Sequence, residues 1–333
     1  MTTLFWMFAC FALVFGALIG SFLNVIIYRV PAGESIVFPA SRCPDCGSEI
    51  RWYDNIPVVS WLVLGRECRD CGAPISAQYP LVEALTAGFS AALWFKVAHH
   101  HFQAAATLHQ LPIAAIALPF LLYFTFLSLM VVIAFVDLEH YIIPHEFTLP
   151  GIVLGAATPW LFDWLIGPGE LQGFWPPVTA TESIVGILVG GFSILTIYFL
   201  YYAVRRVEGL GGGDVTLMAL VGAWLGWPAI LFIFFASSMQ GTLAAGVAWL
   251  LGSGWLKPSD ELFDEPDAPT PDDQPPDDPT PDSPEPADDR DDSGKLAVPF
   301  GPFIALSAVE HFFLGEFLPR MLSMAYLYDM WIP

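Results

Sequence analysis

Charge is what this 333-residue chain has least of: Asp, Glu, Lys and Arg together make up 14% of it. So little charge beside 55% hydrophobic residues excludes an ordinary soluble domain and points to a chain that crosses a bilayer repeatedly. Positive charge is scarcer still, with 12 Lys and Arg against 33 Asp and Glu, and no basic patch. Nucleic acid is therefore excluded as a partner. The net charge of −21 is largely local, because residues 258–295 hold 15 acidic and 2 basic side chains. No basic segment precedes the first apolar run. That run, Leu4 to Tyr28, is 25 residues without a charge, too long for the core of a secretory leader, so a cleaved signal peptide is not expected. No glycine-rich dinucleotide fingerprint is present. Cysteine is limited to five, and Cys10 stands alone in an apolar run, where packing accounts for it.

What is there is mostly apolar helix. The runs predict an all-α polytopic membrane protein with about eight spans: 4–28, 81–98, 111–136, 147–166, 183–204, 215–227, 228–251 and 301–318. Val215 to Leu251 carries no charge for 37 residues, too long for one span, and Gly226-Trp227-Pro228 divides it. The first piece is then short enough to require a cavity or thinned membrane beside it. Residues 258–295 form a Pro/Asp-rich tract that reads as a solvated linker.

The remaining cysteines, Cys43, Cys46, Cys68 and Cys71, form two Cys-x-x-Cys pairs separated by 21 residues. This spacing is that of a structural zinc site. Disulfides are the alternative, disfavoured if the loop faces a reducing compartment. Charge placement settles the side. With residues 29–79 in the cytoplasm and the spans alternating, ten of the twelve Lys and Arg residues fall inside.

The same alternation puts two carboxylates at one membrane face. Asp137 follows the third span; Asp214 opens the sixth, after Gly211, Gly212 and Gly213. Asp214 alone is equally well a helix cap, and Asp137 alone the polar end of a span. As a pair at matching depth beside a glycine loop they suit acid and base catalysis. Hydrolysis of an amide by water needs a group to accept a proton and another to give one, and two close carboxylates sharing one proton supply both.

On these residues the chain resembles the type IV prepilin peptidase family. The likeness extends through Gly20-Ser21-Phe22-Leu23-Asn24, Tyr28-Arg29-Val30-Pro31, the two cysteine pairs, Asp54-Asn55-Ile56-Pro57, and Tyr79-Pro80-Leu81-Val82-Glu83. It continues through Asp137-Leu138, Ile143-Pro144, Gly211-Gly212-Gly213-Asp214 and Pro299-Phe300-Gly301-Pro302-Phe303. The resemblance implies a membrane aspartic endopeptidase with Asp137 and Asp214 as its pair. Its substrates would be type IV prepilins or type II secretion pseudopilins, cut after a glycine to remove a short basic leader. The new N-terminus would then be methylated from S-adenosylmethionine, and the enzyme would sit in the bacterial cytoplasmic (inner) membrane with its active site on the cytoplasmic face.

Five segments follow from this reading: 1–28, a first helix; 29–80, a cytoplasmic zinc loop tied to methylation; 81–257, the catalytic core; 258–298, the acidic insertion; 299–333, the last helix and tail. Glu34, Asn55, Arg66 and Glu83 are the polar candidates for holding the methyl donor. One departure from the family pattern is His145, where Asn usually follows Ile-Pro. An enzyme that cleaves without methylating, or a non-catalytic zinc-loop protein binding a partner, are the rival readings.

Overall fold

A computed structural model describes residues 2–104, 113–167, 179–206, 211–251, 257–258, 296–297 and 299–317. Nine helices are found among them: α1 (Thr2–Arg29), α2 (Val59–Val63), α3 (Gln78–Ala104), α4 (Ile113–His140), α5 (His145–Leu165), α6 (Ala180–Arg205), α7 (Gly212–Leu225), α8 (Trp227–Leu251) and α9 (Gly301–Leu314). All but α2 fall on the eight apolar segments. Five of the described helices, α1, α3, α4, α6 and α8, contain stretches long and apolar enough to cross a membrane. Their outward residues are apolar too: Phe11 and Leu18 on α1, Phe199 and Leu200 on α6, and Leu231 and Phe235 on α8 are all exposed. Lipid is the medium that such a surface requires, and the chain is a multi-pass membrane protein.

Residues 1–238 and 300–333 form one compact unit, and 239–299 a second. In the second, the described residues are the later turns of α8 and a short antiparallel ladder, β1 (Lys257–Pro258) against β2 (Leu296–Ala297). This ladder is a small exception to an all-α expectation. Most of the acidic tract between its strands lies outside the described residues.

In the first unit, α1 and α3 lie nearly in backbone contact. A Cβ on Gly16 would come within 2.5 Å of Ser90 Cβ, and one on Gly20 within 2.7 Å of Glu83 Cα. Two small residues four apart thus make one seam, as is common where helices meet in lipid. Ser90 Oγ donates across it to the Ala12 carbonyl at 2.6 Å. Below the seam Leu23, Ile27 and Val82 pack with Val131, Val132 and Val136 of α4.

The centre of the unit is α7. From Leu217 to Leu225 each of its residues is buried. Trp224 packs against Phe126 of α4, and its indole N–H donates to the Gly151 carbonyl of α5 at 2.9 Å. Ser183 of α6 donates to the Ala223 carbonyl at 2.7 Å. The length of this helix suggested a cavity or a thinned bilayer beside it; the structure shows instead that its residues are buried. Protein surrounds it, so its apolar residues face neighbouring helices and never need to span lipid. α9 returns to pack on α4 and α7.

Candidate active site and cysteine loop

Asp137 lies inside α4, which continues through Glu139 to His140. The apolar run ends just before it, but no breaker follows until Pro144, and the helix adds its polar last turn. Asp137 keeps 5% of its surface exposed. The chain then turns through Tyr141, at φ 57°, and four residues later starts α5. Asp214 is the third residue of α7, whose N-cap is Gly211, and its carboxylate reaches back to the Gly211 backbone. It leans back towards the start of the helix, its Oδ2 3.9 Å from where a Gly211 Cβ would stand. The helix dipole favours a negative charge there. Asp214 is 8% exposed.

The two carboxylates are close enough to act on one another electrostatically. A third element fixes one of them. The Gly301 N–H, at the start of α9, donates to Asp137 Oδ2 at 3.0 Å in a buried bond. A Cβ on Gly301 would stand 2.6 Å from that oxygen and 3.1 Å from Ile143 Cδ1. On the other side, a Cβ on Gly213 would stand 2.6 Å from Ile143 Cβ. Ile143 thus fills the space left by two missing side chains, one beside each aspartate. Of the glycine loop, only Gly213 has this steric role; Gly211 and Gly212 are exposed. Neither Gly301 nor Ile143 was singled out for a role in the sequence. The one signal available was a glycine held between prolines at the start of a helix. His145 is exposed, and its Nδ1 lies 3.4 Å from Thr216 Oγ1, tying the start of α5 to α7.

The cysteine loop has two matching turns. Cys43 N–H donates to Ser48 O and Gly47 N–H to Cys43 O, both at 2.9 Å. Cys68 N–H donates to Ala73 O at 2.7 Å and Gly72 N–H to Cys68 O at 2.9 Å. The four sulfurs lie within 4.8 Å of one another, and Cys43 and Cys71 are 3.9 Å apart. Zinc bound by four thiolates at about 2.3 Å sets its sulfurs about 3.8 Å apart, so the donor set fits that ion, and these sulfurs are far beyond bonding distance of a disulfide. Hydrogen bonds from Ser48 bring the Cys46 thiol down to about 7, which favours the thiolate a metal needs. Arg69 clamps Asp54 with contacts of 2.6 and 2.8 Å and holds that carboxyl below its usual range.

The four donor-site candidates separate. Glu34, Asn55 and Glu83 share the wall of one cavity of about 540 Å³ between the loop and the ends of α1 and α3. Arg66 is not on that wall; its guanidinium stacks 4.9 Å over the Trp61 ring. Glu83 is 8% exposed, and its Oε2 accepts from Val58 N–H at 2.6 Å. Val58 has φ 61°, an uncommon conformation for a β-branched residue, costing on the order of 1–3 kcal/mol.

Known proteins similar to this chain name one family. Residues 14–97 match the model of the Bacterial Peptidase A24 N-terminal domain, and residues 124–246 that of the Type IV leader peptidase family. A prepilin leader peptidase/N-methyltransferase of Myxococcus xanthus is 36% identical over 95% of this chain and 93% of the relative. One from Dichelobacter nodosus is 34% identical over 73% of the chain and 88% of the relative. One from Aeromonas hydrophila is 33% identical over 71% and 79%. No solved structure matches.

Proposed function

Because the chain belongs to the type IV leader peptidase family, we propose that Asp137 and Asp214 are the pair with which it removes prepilin leaders. The protein is a bifunctional enzyme, a leader peptidase and N-methyltransferase. The assignment of the pair rests on one observation: two buried carboxylates, 77 positions apart in sequence, interact where α4 and α7 meet.

In this mechanism one carboxylate takes a proton from water as its oxygen attacks the scissile carbonyl. The other, protonated, gives its proton to the carbonyl oxygen. Collapse of the intermediate breaks the C–N bond, and the nitrogen leaves with a proton from the pair. Gly301 N–H holds one Asp137 oxygen in a fixed direction, so the pair is aimed before substrate arrives.

The substrate is a type IV prepilin or a type II secretion pseudopilin, cut after a glycine. The charge distribution supports a cytoplasmic active-site face and an inner-membrane location. The segments 29–80 and 81–257 carry methylation and cleavage respectively, with Cys43, Cys46, Cys68 and Cys71 holding one structural zinc. S-adenosylmethionine supplies the methyl group. Incubating the purified enzyme with a leader-bearing prepilin and S-adenosylmethionine, then weighing the product, tests both steps. Loss of the leader mass and gain of one methyl is the expected result. Leader loss without methyl gain identifies a peptidase only.

A further inference from the structure

We propose that the cavity between the cysteine loop and the ends of α1 and α3 is the methyl-donor site, and that it receives the new N-terminus directly from the aspartate pair. The proposal rests on the methyltransferase reading above and adds where the donor sits.

Size and chemistry both fit. At about 540 Å³ the cavity lies within the range that takes a drug-sized or nucleoside ligand. S-adenosylmethionine carries a sulfonium cation and an aromatic base. The wall offers the carboxylates of Glu34 and Glu83 for the cation and the rings of Tyr28, Trp61 and Tyr79 for the base. Glu34 and Glu83 form no ion pair with another described residue. Asp54, also on the wall, is already neutralised by Arg69. The site is built, not incidental. Asn24, 5% exposed, donates to the Tyr79 carbonyl at 3.0 Å. Arg29 donates to the carbonyls of Ser35 and Pro39, both at 2.9 Å, fastening the loop over the cavity.

Position links it to cleavage. Ile27 and Val82, at the helix ends that form the cavity floor, pack with Val136, the residue before Asp137. Tyr79 on the wall is within electrostatic reach of Glu139, two residues beyond Asp137. The helices that carry the cavity thus touch the helix that carries Asp137, and this contact is the route assigned to the freshly cut amine. In the transfer, the neutral amine forms a bond to the methyl carbon. The carbon–sulfur bond breaks with its electrons left on sulfur, giving S-adenosylhomocysteine. The surplus amine proton leaves through the open side, where Glu34 stands exposed.

The test uses the full-length enzyme in detergent and titration calorimetry with S-adenosylmethionine, which keeps its sulfonium charge, in the absence of a methyl acceptor. Glu34→Gln and Glu83→Gln should each weaken binding about tenfold, the loss expected for a hydrogen bond to charge. Leader cleavage and zinc content should hold, because the Glu83→Gln side chain keeps a carbonyl oxygen to accept from Val58 N–H. A photoactivatable azido derivative of S-adenosylmethionine should label peptides from 21–34, 39–61 or 73–83. Wild-type binding that both variants match, or label confined to other segments, overturns the cavity. A wild-type protein that neither binds S-adenosylmethionine nor transfers methyl overturns the underlying methyltransferase reading instead.

Discussion

Gly301→Ala gives the sharpest test of how the aspartate pair is held. The added methyl would meet Asp137 Oδ2 at 2.6 Å, Asp137 Cγ at 3.2 Å and Ile143 Cδ1 at 3.1 Å. Ordinary van der Waals contact begins near 3.4 Å, so the carboxylate must retreat by roughly 0.8 Å or the start of α9 must lift. Either movement breaks or lengthens the 3.0 Å bond from Gly301 N–H. Overpacking of this kind costs about 1–3 kcal/mol of stability. A misplacement approaching 1 Å costs about 10²-fold in rate. The assay is kcat for cleavage of a leader-bearing prepilin, with methylation of a pre-cleaved pilin measured on the same preparation. Cleavage should fall about a hundredfold and methylation should stay within about twofold, because Gly301 is not on the cavity wall. Cleavage within about twofold of wild type would refute the argument that this amide positions Asp137.

Asp137→Asn and Asp214→Asn should each abolish detectable cleavage in protein that retains its zinc; clear turnover by either purified variant removes the pair. Elemental analysis should find about one zinc per chain, and Cys68→Ser should lose it. Zinc takes all four sulfurs as thiolates, and while the Cys46 thiol lies near 7 the Cys71 thiol is pushed up to about 12, so protons are displaced on binding throughout pH 5 to 8 and zinc affinity should fall by at least about tenfold per unit as the pH drops. An affinity indifferent to pH between about 8 and 5 would contradict this. Replacing residues 259–295 by a two- to four-residue turn should leave cleavage near normal at moderate salt, since Lys257 already pairs with Ala297. A large loss of cleavage would mean that the acidic tract recruits substrate.

The sequence made the helices legible because apolar runs bounded by charge leave few alternatives. It was least accurate where tertiary context decides. Asp137 was placed after its helix, because Asp-Leu-Glu-His looks like a span end; the backbone stays helical regardless of where the lipid stops. The nine buried residues from Leu217 to Leu225 of α7 could not be told from a lipid-facing run by composition, since both are apolar all round. Asp137 and Asp214 were found because charge is rare in such a chain. Gly301 was missed as a partner, because its part is played by a backbone N–H and by the absence of a side chain. Arg66 passed as a cavity candidate on charge alone, and only the fold shows it lying on Trp61.

One isoleucine has a further consequence. Ile143 occupies the volume vacated at both Gly213 and Gly301, so the three positions behave as a single compartment with a fixed capacity. A methyl gained at Gly213 presses on Ile143 alone, whereas one gained at Gly301 presses on Ile143 and on the Asp137 carboxylate, so carbon lost at 143 relieves the first more fully than the second. Tolerance at any one of them therefore depends on the other two, and a mutational map built one site at a time would misjudge all three.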